Sequence, residues 1–114
     1  MKPSVLLIVT ALLASAPASA QTNEGQARTL RRAGQRATAE GRIEEAFALF
    51  RAAAEQSRDP DVWLDLGTSA DRLRMDAVAA EAYQTFLERS PNAANRAEIE
   101  GRLVSEFMPA ARAR

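Results

Sequence analysis

The sequence predicts an all-α protein of about five helices, arranged as antiparallel helix pairs stacked into a solenoid. Three observations carry this expectation. First, the chain repeats itself. Leu30, Gly34, Gly41, Ala46, Phe50 and Ala53 find counterparts 33 residues later in Trp63, Gly67, Arg74, Ala79, Tyr83 and Phe86, and Gly101 follows Gly67 by 34. Second, apolar residues recur at the helical period, while β-branched residues are sparse and strand-like alternation is absent. Third, breaker clusters separate the periodic segments: Glu40-Gly41, Asp59-Pro60-Asp61 and Ser90-Pro91-Asn92.

The first segment, 1–20, reads as a secretory signal peptide. Lys2 is a small positive n-region, Val5 to Ala16 is apolar apart from Thr10 and Ser15, and Ala18-Ser19-Ala20 is a small-x-small cleavage signal. Cleavage is expected after Ala20. The alternative, an uncleaved anchor, is disfavoured by length, because a spanning helix needs about 20 apolar residues. Export to the periplasm or beyond follows as the expected localisation, with a bacterial source inferred from the brevity of the signal and the lack of cysteine.

Residues 21–25 read as a short polar lead-in. Helix one then runs from about Gln26 to Ala39, with Ala27, Leu30, Ala33, Gly34 and Ala37 on one arc. After Glu40-Gly41, helix two runs from Arg42 to Ser57 with Ile43, Ala46, Phe47, Phe50 and Ala53 inward. Asp59 caps helix three, Pro60 suits its first position and Asp61 favours its positive end. That helix reaches Leu73, burying Val62, Trp63, Leu66, Gly67 and Ala70. Arg74-Met75-Asp76 turns the chain, with Asp76 the expected cap. Helix four continues to Arg89 with Val78, Ala79, Ala82, Tyr83, Phe86 and Leu87 inward. Helix five, Ala94 to Phe107, carries Ala97, Ile99, Gly101, Leu103, Val104 and Phe107 on its apolar side, and Glu98, Arg102, Ser105 and Glu106 on an outer polar face. Pro109 ends it, leaving a short tail, 109–114.

Glycine inside a helix costs about 1 kcal/mol relative to alanine. Gly34, Gly67 and Gly101 all fall in helix interiors, so each is expected to mark close approach of the next helix. Trp63 is expected as the largest core residue, and Tyr83 as a core residue whose hydroxyl reaches the surface or a backbone acceptor.

The spacing Trp63-x-x-Leu66-Gly67-x-x-Ala70, then Ala79-x-x-x-Tyr83, then Pro91, resembles the tetratricopeptide repeat (TPR) signature. Leu30-x-x-Ala33-Gly34-x-x-Ala37, then Ala46-x-x-x-Phe50, is an earlier copy with Leu30 at the Trp position. The resemblance divides the chain into repeats at 26–59 and 60–93 and a capping helix at 94–108. Repeat two departs from the family pattern at Ala70, Arg74 and Phe86. In this family the first helices of successive repeats line a concave groove that takes peptides. By position, the resemblance puts Arg28, Arg31, Gln35 and Thr38 on the groove from repeat one. Repeat two contributes Asp61, Leu64, Thr68 and Asp71, with Asp65 and Arg72 at the edge, and the cap contributes Asn95, Glu98 and Arg102.

Two readings of that groove stay open. Arg28 and Arg31 can pair with Asp61 and Asp65 across adjacent helices, leaving the groove nearly neutral. Alternatively, Arg31 holds a carboxylate of a partner beside Leu64 as an apolar anchor. The Lys/Asn clamp used by chaperone-binding members of the family is not expected, since the mature chain lacks Lys.

Composition narrows the remaining classes. With 15 basic and 15 acidic residues there is no basic excess for nucleic acid. No Cys and no His are present, which removes disulfides and the usual zinc ligands. Glu44-Glu45 lies on a solvated helix face, and Pro60 contradicts a calcium loop through Asp59, Asp61 and Asp65. No enzyme, cofactor or metal is expected. The expected role is an exported protein–protein interaction module binding a protein or peptide. A self-associating envelope component is the alternative.

Overall fold

The computed structural model describes residues 16–107. Among them lie five helices and no strand: α1 Ala16–Ala39, α2 Ile43–Ala54, α3 Pro60–Arg72, α4 Asp76–Arg89 and α5 Arg96–Phe107. Each helix packs on the next in chain order, most extensively α1 on α2 and α3 on α4. The first 15 residues of the expected signal segment and the tail 109–114 lie outside the described residues.

α1 starts well before Gln26, so the expected polar lead-in at 21–25 is helical, and the helix runs through the expected cleavage point after Ala20. Pro17, at its second position, leaves no intrahelical bond unmade. A tertiary contact then holds the extension: Ser57 Oγ donates to Glu24 Oε1 and the Arg58 N–H to Oε2, both at 3.4 Å. The anchor comes from the loop after α2, so no local pattern reports it.

The two turns within the helix pairs are built alike. Gly41 and Arg74 occupy equivalent repeat positions and both take positive φ, 79° and 63°. The Gly41 N–H donates to Thr38 O and the Arg74 N–H to Asp71 O, both at 3.0 Å. The next residues close back further, Arg42 to Ala37 O at 2.8 Å and Met75 to Ala70 O at 2.9 Å. These are Schellman turns, which favour glycine in the left-handed position. Arg74 therefore carries strain that Gly41 does not, about 1 kcal/mol. Arg74→Gly is expected to raise the urea midpoint, and an unchanged or lower midpoint would count against strain at this turn. The same turn shifts the helix boundary: Asp76, expected as a cap, is the first residue of α4, and Met75 sits in the cap position without a side-chain bond. Asp59, by contrast, caps α3 as expected, its Oδ1 accepting from the Asp61 N–H at 2.9 Å.

The core has two parts. Ala27, Ala37, Ala46, Phe50, Ala53, Val62 and Leu66 belong to the first. Ala70, Ala79, Tyr83, Phe86, Leu87, Ile99 and Leu103 form the second. Leu30 is half-buried against the first, and Pro91 is exposed in the turn before α5. Trp63 is only partly buried, because it packs at the seam against both parts, with the Arg89 guanidinium 5.3 Å from its ring centroid. Tyr83 is buried, and its hydroxyl donates to Asp71 Oδ2 at 3.5 Å, a side-chain acceptor rather than the expected backbone or solvent.

The glycines split. A Cβ on Gly34 would lie 2.6 Å from the Phe50 ring, and one on Gly67 would lie 2.7 Å from the Tyr83 ring. Both mark close approach, as expected. Gly101 does not: it is exposed, with nothing within 4 Å of the position a Cβ would take. No described helix follows α5 to fill that notch. The expected apolar side of α5 is divided for the same reason. Ile99 and Leu103 are buried, whereas Ala97 and Gly101 are exposed and Val104 is 49% exposed. Arg102, expected on an outer polar face as well as in the groove, is half-buried against α3.

Candidate functional site

Side chains of α1, α3 and α5 border a groove with two neighbouring compartments. The first, about 240 Å³, is lined by Gln35 and Thr38 of α1, Ile43 and Phe50 of α2, and Leu64, Asp65, Thr68, Ser69 and Arg72 of α3. The second, about 340 Å³, is lined by Leu64, Thr68, Asp71 and Arg72 of α3, Tyr83 of α4, and Asn95, Glu98, Ile99 and Arg102 around α5. Leu64, Thr68 and Arg72 are common to both. Their spacing explains this: four residues advance a helix by just over one turn, so they stand in a row along one face of α3.

Most charges around the groove are already matched. Arg31 Nε donates to Asp65 Oδ2 at 2.7 Å, and its Nη1 lies 4.0 Å from Asp59 Oδ2. Arg102 Nη2 donates to Asp71 Oδ2. Each pair ties a first helix to the next one, α1 to α3 and α3 to α5. Burial works against the Arg31 charge, but the Asp65 hydrogen bond and the charges of Asp65, Asp59 and Asp61 outweigh it and raise its pKa. Burial also holds the Asp65 carboxyl above its ordinary value of 3.8. The Arg31 bond and charge pull the other way, and Asp61 and Asp59 add to the rise.

The rise at Asp65 has a definite sign in stability. The folded chain binds this proton more tightly than the unfolded chain, so the stabilisation is complete below 3.8 and is lost as pH climbs through the raised folded value. Relative to Asp65→Asn, the wild type is expected to gain stability as pH falls through that window. Urea midpoints of the two proteins measured across the window check this, and parallel curves would refute it.

Of the residues picked out by position, Gln35, Thr38, Leu64, Asp65, Thr68, Asp71, Asn95, Glu98 and Arg102 line the compartments. Arg28, Arg31 and Asp61 do not. Arg28 is exposed and joins no ion pair among the described residues. Asp61 is exposed in the first turn of α3, where its negative charge suits the helix end. Arg31 reaches Asp65, as the internal-pairing reading expected, and also Asp59, whereas Arg28 and Asp61, expected in the same pairing, join no ion pair among the described residues. Ile43 and Phe50 are groove-lining residues that periodicity assigned to the core. Phe50 serves both, belonging to the first core cluster and lining the first compartment. Arg72, placed at the edge by position, is common to both compartments.

Among the described residues no cluster of three or more His, Cys, Asp or Glu side chains is arranged to hold a metal ion. None of the described helices is long and apolar enough to cross a membrane. Comparison with protein-family models, with curated proteins and with solved structures yields no match for this chain.

Proposed function

We propose that this chain is an exported interaction module of the tetratricopeptide type, whose groove along α1, α3 and α5 binds a segment of a protein partner. The observation that carries the reading is the pair of compartments sharing the Leu64–Thr68–Arg72 row. Side-chain-sized depressions on both sides of one helix suit a polypeptide laid across it. The repeat spacing, the paired Schellman turns and the glycine–aromatic contacts at Gly34 and Gly67 support the helix-pair solenoid assignment. The reading assigns no catalytic, cofactor or metal role.

A photoreactive residue placed at Thr68, compared with one at the exposed Glu81 of α4, tests it in the native envelope fraction. A partner cross-linked from Thr68 and not from Glu81 is the expected result. A partner caught from Glu81 alone rejects the groove. Export is tested by the mature N-terminus, expected at Gln21. Cleavage there leaves Glu24 near the start of α1, where its charge favours the helix.

A second reading, self-association into an envelope assembly, is favoured by two observations on α5: Gly101 has nothing within 4 Å of the position a Cβ would take, and Val104 is 49% exposed. Light scattering across a concentration series separates the two. Growth with concentration that Val104→Glu abolishes supports assembly, and a strict monomer excludes it.

A further inference from the structure

The polar groups of the groove narrow what it can accept, provided the groove reading above holds. In the first compartment, the Thr38 hydroxyl donates to Gly34 O and the Thr68 hydroxyl to Leu64 O, both at 2.9 Å. The Ser69 hydroxyl donates to Leu66 O at 2.9 Å. Asp65 is held by Arg31. The donors that make this wall look polar in sequence are therefore spent on their own helices, and Ile43, Phe50 and Leu64 supply the remaining surface. An apolar side chain entering here displaces water without stranding a donor, which is the favourable case for burial.

Only Gln35 and Arg72 remain uncommitted in that wall. Arg72 is exposed, and its guanidinium takes part in no hydrogen bond or ion pair among the described residues. The other cations paired near the groove differ: Arg102, which lines the second compartment, is matched by Asp71, and Arg31, outside both compartments, by Asp65. Glu98 of α5 lines the second compartment only. It disfavours an acid on that side and leaves the first-compartment side of Arg72 as the place for one.

We propose that the groove recognises an extended partner segment in which an aliphatic or aromatic residue fills the first compartment and a neighbouring Asp or Glu side chain meets Arg72. The acid is a side chain rather than a chain terminus, because compartments on both sides of the Leu64–Thr68–Arg72 row let the segment continue across it. Arg suits this contact, since its planar fork matches a carboxylate in two parallel bonds.

A random peptide display library screened against the full chain is the probe. Arg72→Gln and Thr68→Arg serve as variants, both at exposed positions, with helicity checked by circular dichroism. The expected peptides pair an apolar residue with a nearby Asp or Glu. Arg72→Gln is expected to weaken the best of them about tenfold, and to bind its Glu→Gln version as well as the original. The apolar preference stays. Peptides that are lost on Thr68→Arg but show no acid preference overturn this inference and leave the groove reading standing. Peptides whose binding survives Thr68→Arg, or a screen that recovers none, overturn both.

Discussion

Gly34→Ala and Gly67→Ala are each expected to lower the melting temperature, and Gly101→Ala to raise it, although all three glycines sit at one position of the repeat. Alanine is the better helix former by about 1 kcal/mol at each site. At Gly34 and Gly67 that gain is overridden. The added Cβ would lie 2.6 Å from Phe50 and 2.7 Å from Tyr83, and both rings are buried, 4% and 3% exposed. A ring locked in a core has no free end to swing away, so the helix pair must open. Overpacking of this kind costs about 1–3 kcal/mol, which leaves a net loss of up to about 2 kcal/mol after the propensity gain. For a domain of this size that is a fall of up to roughly 15 °C. Gly101 meets nothing within 4 Å, so only the gain remains, roughly 4–8 °C for 1 kcal/mol. Thermal circular dichroism of the three variants reads the contrast. Three equal shifts would mean that the ring contacts carry no weight.

Arg31→Glu is expected to destabilise the fold by about 2 kcal/mol. The Arg31 and Asp65 side chains are 28% and 25% exposed, so their pair lies between a solvated surface bridge and a buried one. Removing the guanidinium leaves Asp65 half-desolvated with Asp59 and Asp61 nearby, and a glutamate adds a fourth negative charge. The double exchange Arg31→Glu with Asp65→Arg is expected to recover more than half of the loss, which isolates the pair from the rest of the site. A stable Arg31→Glu single variant would show that the pair has little structural weight and would return Arg31 to the list of residues available to a partner. The contrast with Arg72 is direct. Both are arginines of first helices, but Arg31 joins two helices, whereas Arg72 forms no ion pair among the described residues.

Much of the fold was legible from local chemistry. Breakers at Glu40-Gly41, Asp59-Pro60 and Ser90-Pro91 set the helix ends to within a few residues, because turns and caps depend on near neighbours in the chain. Asp59 as a cap illustrates this: its acceptor and the Asp61 N–H are two residues apart. Asp76 illustrates the limit. The hydrogen bond from Met75 back to Ala70 fixed the boundary one residue earlier, and that bond belongs to the turn geometry. The start of α1 was not legible, because Glu24 is held by the loop at Ser57 and Arg58.

The candidate site was legible as a set of positions and not as a set of partners. Spacing placed Leu64, Thr68 and Arg72 on one helix face, and the repeat aligned Gln35 and Thr38 with them. It could not tell Arg31 from Arg72, since both are arginines on first helices with acids within reach.

Taken alone, the sequence determined an all-helical chain, its breaks, and a 33-residue echo that places Gly34 and Gly67 at one position of the repeat. Those properties follow from period, propensity and turn chemistry, which act over a few residues. Only the tertiary structure decided which charges are consumed, that Trp63 sits at a seam, and that Gly101 has no ring against it. Each of these depends on the distance from one helix to the next, and a repeated residue meets the same fate only where the same neighbour is present.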